Sequence, residues 1–123
     1  MRSSIPAESA ASPDPTSDLR RHLPALRAAL LQQRRFRIDQ LAELGARVPA
    51  DPTADPGQAE VAATLRRGAR IALDGIEAAL ARMSSGRYGT CVECATPIPV
   101  ERLEILPAVA LCMTCQPRAE DPA

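Results

Sequence analysis

Four cysteines fall in two C-x-x-C knuckles, Cys91-Val-Glu-Cys94 and Cys112-Met-Thr-Cys115, with seventeen residues between them. Two such knuckles at this separation supply four soft thiolates that converge tetrahedrally on one zinc ion. A redox dithiol is the competing reading, but that chemistry uses a single C-x-x-C beside a βαβ pattern, and no such pattern is present. Catalytic zinc is disfavoured because four protein thiolates leave no open position for water or substrate. The expected role is therefore structural. His22, the one histidine, lies in the N-terminal helical region and is expected to be a surface residue. The chain offers no paired general acid and base, no open metal site and no phosphate-binding loop, so it does not read as an enzyme.

Two further groups carry candidate chemistry. Asp51 and Asp55 lie in VPADPTADPG, residues 48–57, where three prolines and a glycine exclude a helix and make a turn at about 49–57. Asp55 precedes Pro56 at a natural N1 position and Gln58 at N3, so capping of the next helix accounts for it without any partner. One carboxylate can nonetheless cap and face outward. Asp51 has no clear helical stripe after it and is the better functional candidate, its plain alternative being a solvated turn aspartate.

The elements that must hold these groups are helical. At 123 residues the chain is long enough for one small domain plus tails. Aromatic content is 2%, with Phe36 and Tyr88 the only rings, so Ala and Leu must do the packing, which suits closely spaced helices. Residues 1–17 combine Ser, Pro, Ala and Asp and read as a disordered tail. A helix is expected from Asp18, with Ser17 as N-cap and a kink or restart at Pro24. Beyond it Leu31, Arg34, Ile38, Leu41, Gly45 and Val48 recur at spacings of three and four and form one stripe. After the turn, Ala62, Leu65, Ala69, Ala72, Ile76, Ala79 and Met83 keep the alternation of a coiled-coil seam, and Ser84, Ser85 and Gly86 end the helix. The expected architecture is mostly α: an antiparallel two-helix coiled-coil hairpin over 18–86 on a small four-cysteine zinc finger over 87–117, with a short tail at 118–123. At about 1.5 Å per residue, a second helix of roughly 27 residues projects on the order of 40 Å from the zinc. Pairing of the same stripes between two chains is the alternative to the monomer expected here.

Fifteen basic and fifteen acidic side chains cancel, and four thiolates on one zinc add about −2. That balance argues against sequence-specific DNA binding through phosphate neutralisation and favours a protein partner. The N-terminus lacks the apolar core of a signal peptide and no apolar run approaches membrane-spanning length, so the chain reads as soluble and cytoplasmic, where four cysteines are ligands rather than disulfides.

The segment GRYGTCVEC (86–94), followed by Ile98, Arg102-Leu-Glu104, Pro107 and LCMTC (111–115), resembles the zinc finger of the DksA/TraR family of bacterial transcription regulators. The resemblance covers about Ile76 to Gln116, and the preceding hairpin has the family's layout. It implies a protein that binds RNA polymerase, inserts the hairpin into the secondary channel and modulates initiation through acidic residues at the tip. It is a regulator of this kind, or else a zinc-stapled helical interaction module that does not act on polymerase. Departures from the family are specific. Its best-known members carry two tip aspartates three apart, whereas Asp51 and Asp55 are four apart among prolines. Leu106 and Gln116 stand where several members place basic side chains for the alarmone ppGpp, which implies weak or absent potentiation. Ala95 replaces a glycine at a position expected to need positive φ. Arg102 and Glu104 are expected to pair near the zinc base, with Arg87, Arg102 and Arg118 offsetting the site's negative charge, while Tyr88 packs against the base of the hairpin. The closing QPRAEDPA (116–123) is expected to be too short and proline-broken for the C-terminal helix of the family's longer members.

Overall fold

The computed structural model describes residues 15–46 and 55–120, with side chains from Ser17 to Pro117. Among the described residues four helices follow in order: α1 (Pro15–Ala46), α2 (Pro56–Ser84), α3 (Val100–Ile105) and α4 (Cys115–Glu120). The same residues contain no strand, only an antiparallel bridge between Thr90 and Pro97. Helices α1 and α2 form the antiparallel coiled-coil hairpin, and α1 also touches α3 in the cysteine-bearing head. The first fourteen residues of the expected tail and the turn residues 47–54, Asp51 among them, lie outside the described residues.

Among the described residues α1 runs from Pro15, three residues before Asp18, so Ser17 lies inside it and is not its N-cap. Pro24 causes no restart; α1 is assigned without interruption across it. Both Pro24 and Arg20, whose carbonyl loses the proline's missing N–H, are exposed, so water can take the place of the lost bond.

On α1 the packed seam lies one residue before the expected stripe. The buried residues are Leu26, Leu30 and Leu44, with Leu19 and Leu23 packed alongside. Leu31 is 40% exposed and Gly45 is exposed, while Arg34, Ile38 and Leu41 are only half-buried. On α2 the expected Ala69, Ile76 and Ala79 are buried, but Leu73 is buried with them and Leu80 packs against the core, so the stripe is wider than the expected one. Leu65, nearer the tip, is 48% exposed. The head decides the choice on α1. Leu26 and Leu30 belong to one apolar cluster with Ile76 and Ala79 of α2 and Tyr88, Ile98 and Leu103 of the head, an anchorage absent from any periodicity read beyond Pro24.

Both ends of α2 carry sequence-specific stops. Asp55 is the N-cap, its carboxylate accepting from the Gly57 N–H at 3.1 Å with Pro56 at N1. At the far end Arg87 N–H donates to the Arg82 carbonyl at 2.8 Å and Gly86 N–H to the Met83 carbonyl at 3.2 Å. That is a Schellman closure, and it requires the left-handed conformation that Gly86 adopts at φ +76°.

Candidate metal centre

The head is built from two loops that face each other. Gly89 (φ +88°) turns the chain after α2, and a Cβ there would come within 2.7 Å of Leu19 Cδ2, so its bareness also lets the start of α1 pack onto the head. Past this turn Cys91 N–H donates to the Thr96 carbonyl at 2.9 Å and Ile98 N–H to the Gly89 carbonyl at 2.8 Å, closing a small hairpin that presents the first knuckle. Inside it Ala95 takes φ +65°, as its replacement of glycine predicts, and donates its N–H to the Cys91 carbonyl. Val92 N–H reaches the Ala110 carbonyl at 2.9 Å and ties the first knuckle to the second, while the Cys112 carbonyl accepts from Gln116 N–H at the start of α4.

These loops bring together all four sequence-predicted ligands. The Sγ atoms of Cys91, Cys94, Cys112 and Cys115 lie within 4.8 Å of one another, with Cys94 and Cys112 3.7 Å apart and no disulfide among them. A tetrahedral ion with Zn–S bonds of about 2.3 Å sets its sulfurs about 3.8 Å apart, so the cage fits zinc. Cys91, Cys112 and Cys115 are buried and Cys94 is exposed, its Sγ 3.1 Å from Thr96 Oγ1.

The electrostatics fit the same ion. Burial works to raise the Cys91 thiol, but backbone N–H groups of Cys112, Cys94 and Glu93 outweigh it and bring the thiol down to about 6. Contact with Cys112, then burial, pushes Cys115 up to about 12. Four sulfurs this close cannot all ionise against their mutual repulsion, and a dication removes that obstacle. With every ligand position filled by protein, the bound zinc holds the fold and has no place for substrate.

The profile of the prokaryotic dksA/traR C4-type zinc finger matches residues 86–121. The chain is also similar in structure to the transcription factor DksA2 from Pseudomonas aeruginosa, with a TM-score of 0.71 and 29% identity over 92% of this chain and 94% of that one. The finger at residues 86–121 is thus of the dksA/traR C4 type, and the fold of the chain is similar to that of DksA2. No curated protein matches the chain. With four thiolates converging in a C4-type finger, the chain carries one structural zinc on Cys91, Cys94, Cys112 and Cys115. No helix among the described residues is long and apolar enough to cross a membrane.

The other sequence-predicted residues fare differently. Tyr88 is 5% exposed, inside the cluster at the hairpin base, and its hydroxyl donates to the Pro107 carbonyl at 2.8 Å. Burial pushes its phenol up to about 12. Arg102 and Glu104 do not pair. Lying two residues apart on the short α3, they point to different sides. Arg102 donates to Met113 Sδ at 3.0 Å, and Glu104 instead faces His22, whose Nε2 is 3.7 Å from Glu104 Oε2. His22 is thus a half-buried link from α1 to the head, its Nδ1 held 2.8 Å from the Asp18 carbonyl, and no local sequence pattern announces it. Leu106 and Gln116 line one open hollow of about 320 Å³ between α1 and the head, beside Arg102 and Gln33. A short helix nonetheless forms at Cys115–Glu120, because Pro117 falls in its first turn, where the missing N–H costs nothing.

Proposed function

We propose that this protein is a cytoplasmic, monomeric transcription regulator that binds RNA polymerase and inserts the α1/α2 hairpin into its secondary channel. One observation supports this reading above the rest. The apolar cluster fuses the cysteine-bearing head to the base of two long helices, so that α2, at 29 residues, carries Asp55 on the order of 40 Å from the zinc. Such a rod suits reaching into a channel that a globular head cannot enter. In this reading the zinc head sets the hairpin's base, and Asp51 and Asp55 meet the active centre and modulate initiation. The protein catalyses no reaction and reads no DNA sequence. Leu106 and Gln116 leave Arg102 as the one cation among the residues that line the hollow at the base, fewer than a ppGpp phosphate calls for, so ppGpp has little effect.

The test is binding of the zinc-loaded protein to purified core polymerase in competition with a known secondary-channel binder. Displacement is the expected result. Lack of binding at micromolar protein would leave a zinc-stapled interaction module that does not act on polymerase. The tip is tested separately with Asp51→Ala and Asp55→Asn, since asparagine keeps the N-cap and removes only the charge. Polymerase binding should persist while transcriptional output changes, and unchanged output with polymerase bound would sink the tip mechanism.

A further inference from the structure

Three of the four ligand sulfurs are sheltered by the fold: Cys91 is 2% exposed, Cys112 8% and Cys115 6%, whereas Cys94 faces solvent. A side chain outside the cage reaches this open sulfur. Cys94 Sγ lies 3.1 Å from Thr96 Oγ1, and the Thr96 backbone N–H is directed at the same atom. The buried Cys91 instead draws on backbone N–H groups of Cys112, Cys94 and Glu93, so the exposed ligand is the one that borrows a hydroxyl.

The threonine is fixed from both sides. Ala95, at φ +65°, folds the chain back over the knuckle, and the Thr96 carbonyl accepts from Cys91 N–H at 2.9 Å. Pro97 follows, bridged to Thr90, and a proline restricts the residue before it to extended backbone. A β-branched side chain on a fixed backbone has few rotamers to lose, so holding the hydroxyl at the sulfur costs little entropy.

We infer that Thr96 is a positioning residue of the metal centre, its hydroxyl donating to the Cys94 thiolate and keeping the exposed ligand on the zinc. As a thiol, Cys94 donates to Thr96 Oγ1. As a ligand the sulfur has lost that proton and can only accept, so the same pair persists with the hydroxyl proton turned toward sulfur. A charge-assisted bond of this kind stabilises the thiolate. Without it the exposed sulfur is left to water, which can return the proton that frees a ligand from its metal. The role belongs to the zinc head and is independent of what the hairpin binds.

The experiment follows transfer of zinc from the loaded full chain to a chromogenic chelator, 4-(2-pyridylazo)resorcinol, for wild type, Thr96→Val, Thr96→Ala and Thr96→Ser, with helicity checked for each. The two variants without a hydroxyl should release zinc about tenfold faster, while Thr96→Ser stays within about twofold of wild type. In the cobalt-substituted proteins the sulfur-to-metal charge-transfer band should move to longer wavelength in Thr96→Val and Thr96→Ala and stay in place in Thr96→Ser, because the lost bond raises the sulfur lone pair. Limited alkylation of the zinc-loaded chains with iodoacetamide should mark Cys94 first, and faster in the hydroxyl-free variants. Wild-type release and an unmoved band in a folded hydroxyl-free variant overturn the inference. So does a Thr96→Ser protein that loses zinc as fast as Thr96→Val, since the shape of the side chain and not its hydroxyl would then matter, or first alkylation at another cysteine.

Discussion

At the scale of single residues, Tyr88 gives the cleanest measurement because it is the one tyrosine and the chain has no tryptophan. Its burial predicts a tyrosinate absorbance that rises near pH 12 instead of 10. The linked stability follows in sign: a phenol whose pKa is raised on folding contributes fully below pH 10, and the contribution is lost as pH climbs to about 12. Denaturant midpoints measured across that window should fall for the wild type and change less for Tyr88→Phe, which at neutral pH loses about 1 kcal/mol with the bond to Pro107. Gly89→Ala meets both a positive φ and the side chain of Leu19, and should cost about 2 kcal/mol or more in chemical denaturation. These residues differ in how far the sequence announces them. The cysteines declare themselves by spacing, and Ala95 by standing where glycine is expected. His22 does not, because its partner Glu104 is 82 residues away and nothing in either neighbourhood points to the other.

At the scale of the helices, existence and the termini of α2 were legible while rotation was not. Asp55-Pro56 and Ser85-Gly86 mark the ends of α2 by local chemistry, and the structure places its caps there. Which stripe packs depends on the facing element. On α1 two stripes one residue apart satisfy the same periodicity, and only the leucines before Pro24 and after it, clamped by the head, decide between them. The choice is measurable on the facing arm: Leu73→Ala should cost about 2–4 kcal/mol, and Leu65→Ala less than about 1 kcal/mol, in urea denaturation. Equal losses would mean that the seam is wrongly placed. Gly68 and Gly75 lie inside α2 with nothing within 4 Å of an added Cβ, so Gly75→Ala should stabilise the protein by up to about 1 kcal/mol. A destabilised Gly75→Ala would reveal a close neighbour over that face.

For the whole molecule, three of the four metal ligands sit in the same apolar cluster as the buried leucine, isoleucine and alanine residues that join α1 to α2. Metal and hairpin should therefore fall together. Chelation should abolish not only the head but much of the helical circular dichroism, in one transition, and readdition of zinc should restore it. Retention of full helicity by the zinc-free protein would show that the arms pair unaided. Toward the tip the buried set thins to Leu44, Ala69 and Leu73, which makes the hairpin a cantilever, clamped at one end and progressively more compliant along its length. Amide exchange should slow from Leu44 toward Leu30 and from Ala62 toward Ile76. A lever of this kind can yield sideways as it threads a narrow opening, while its fixed root still dictates how deep the free end travels.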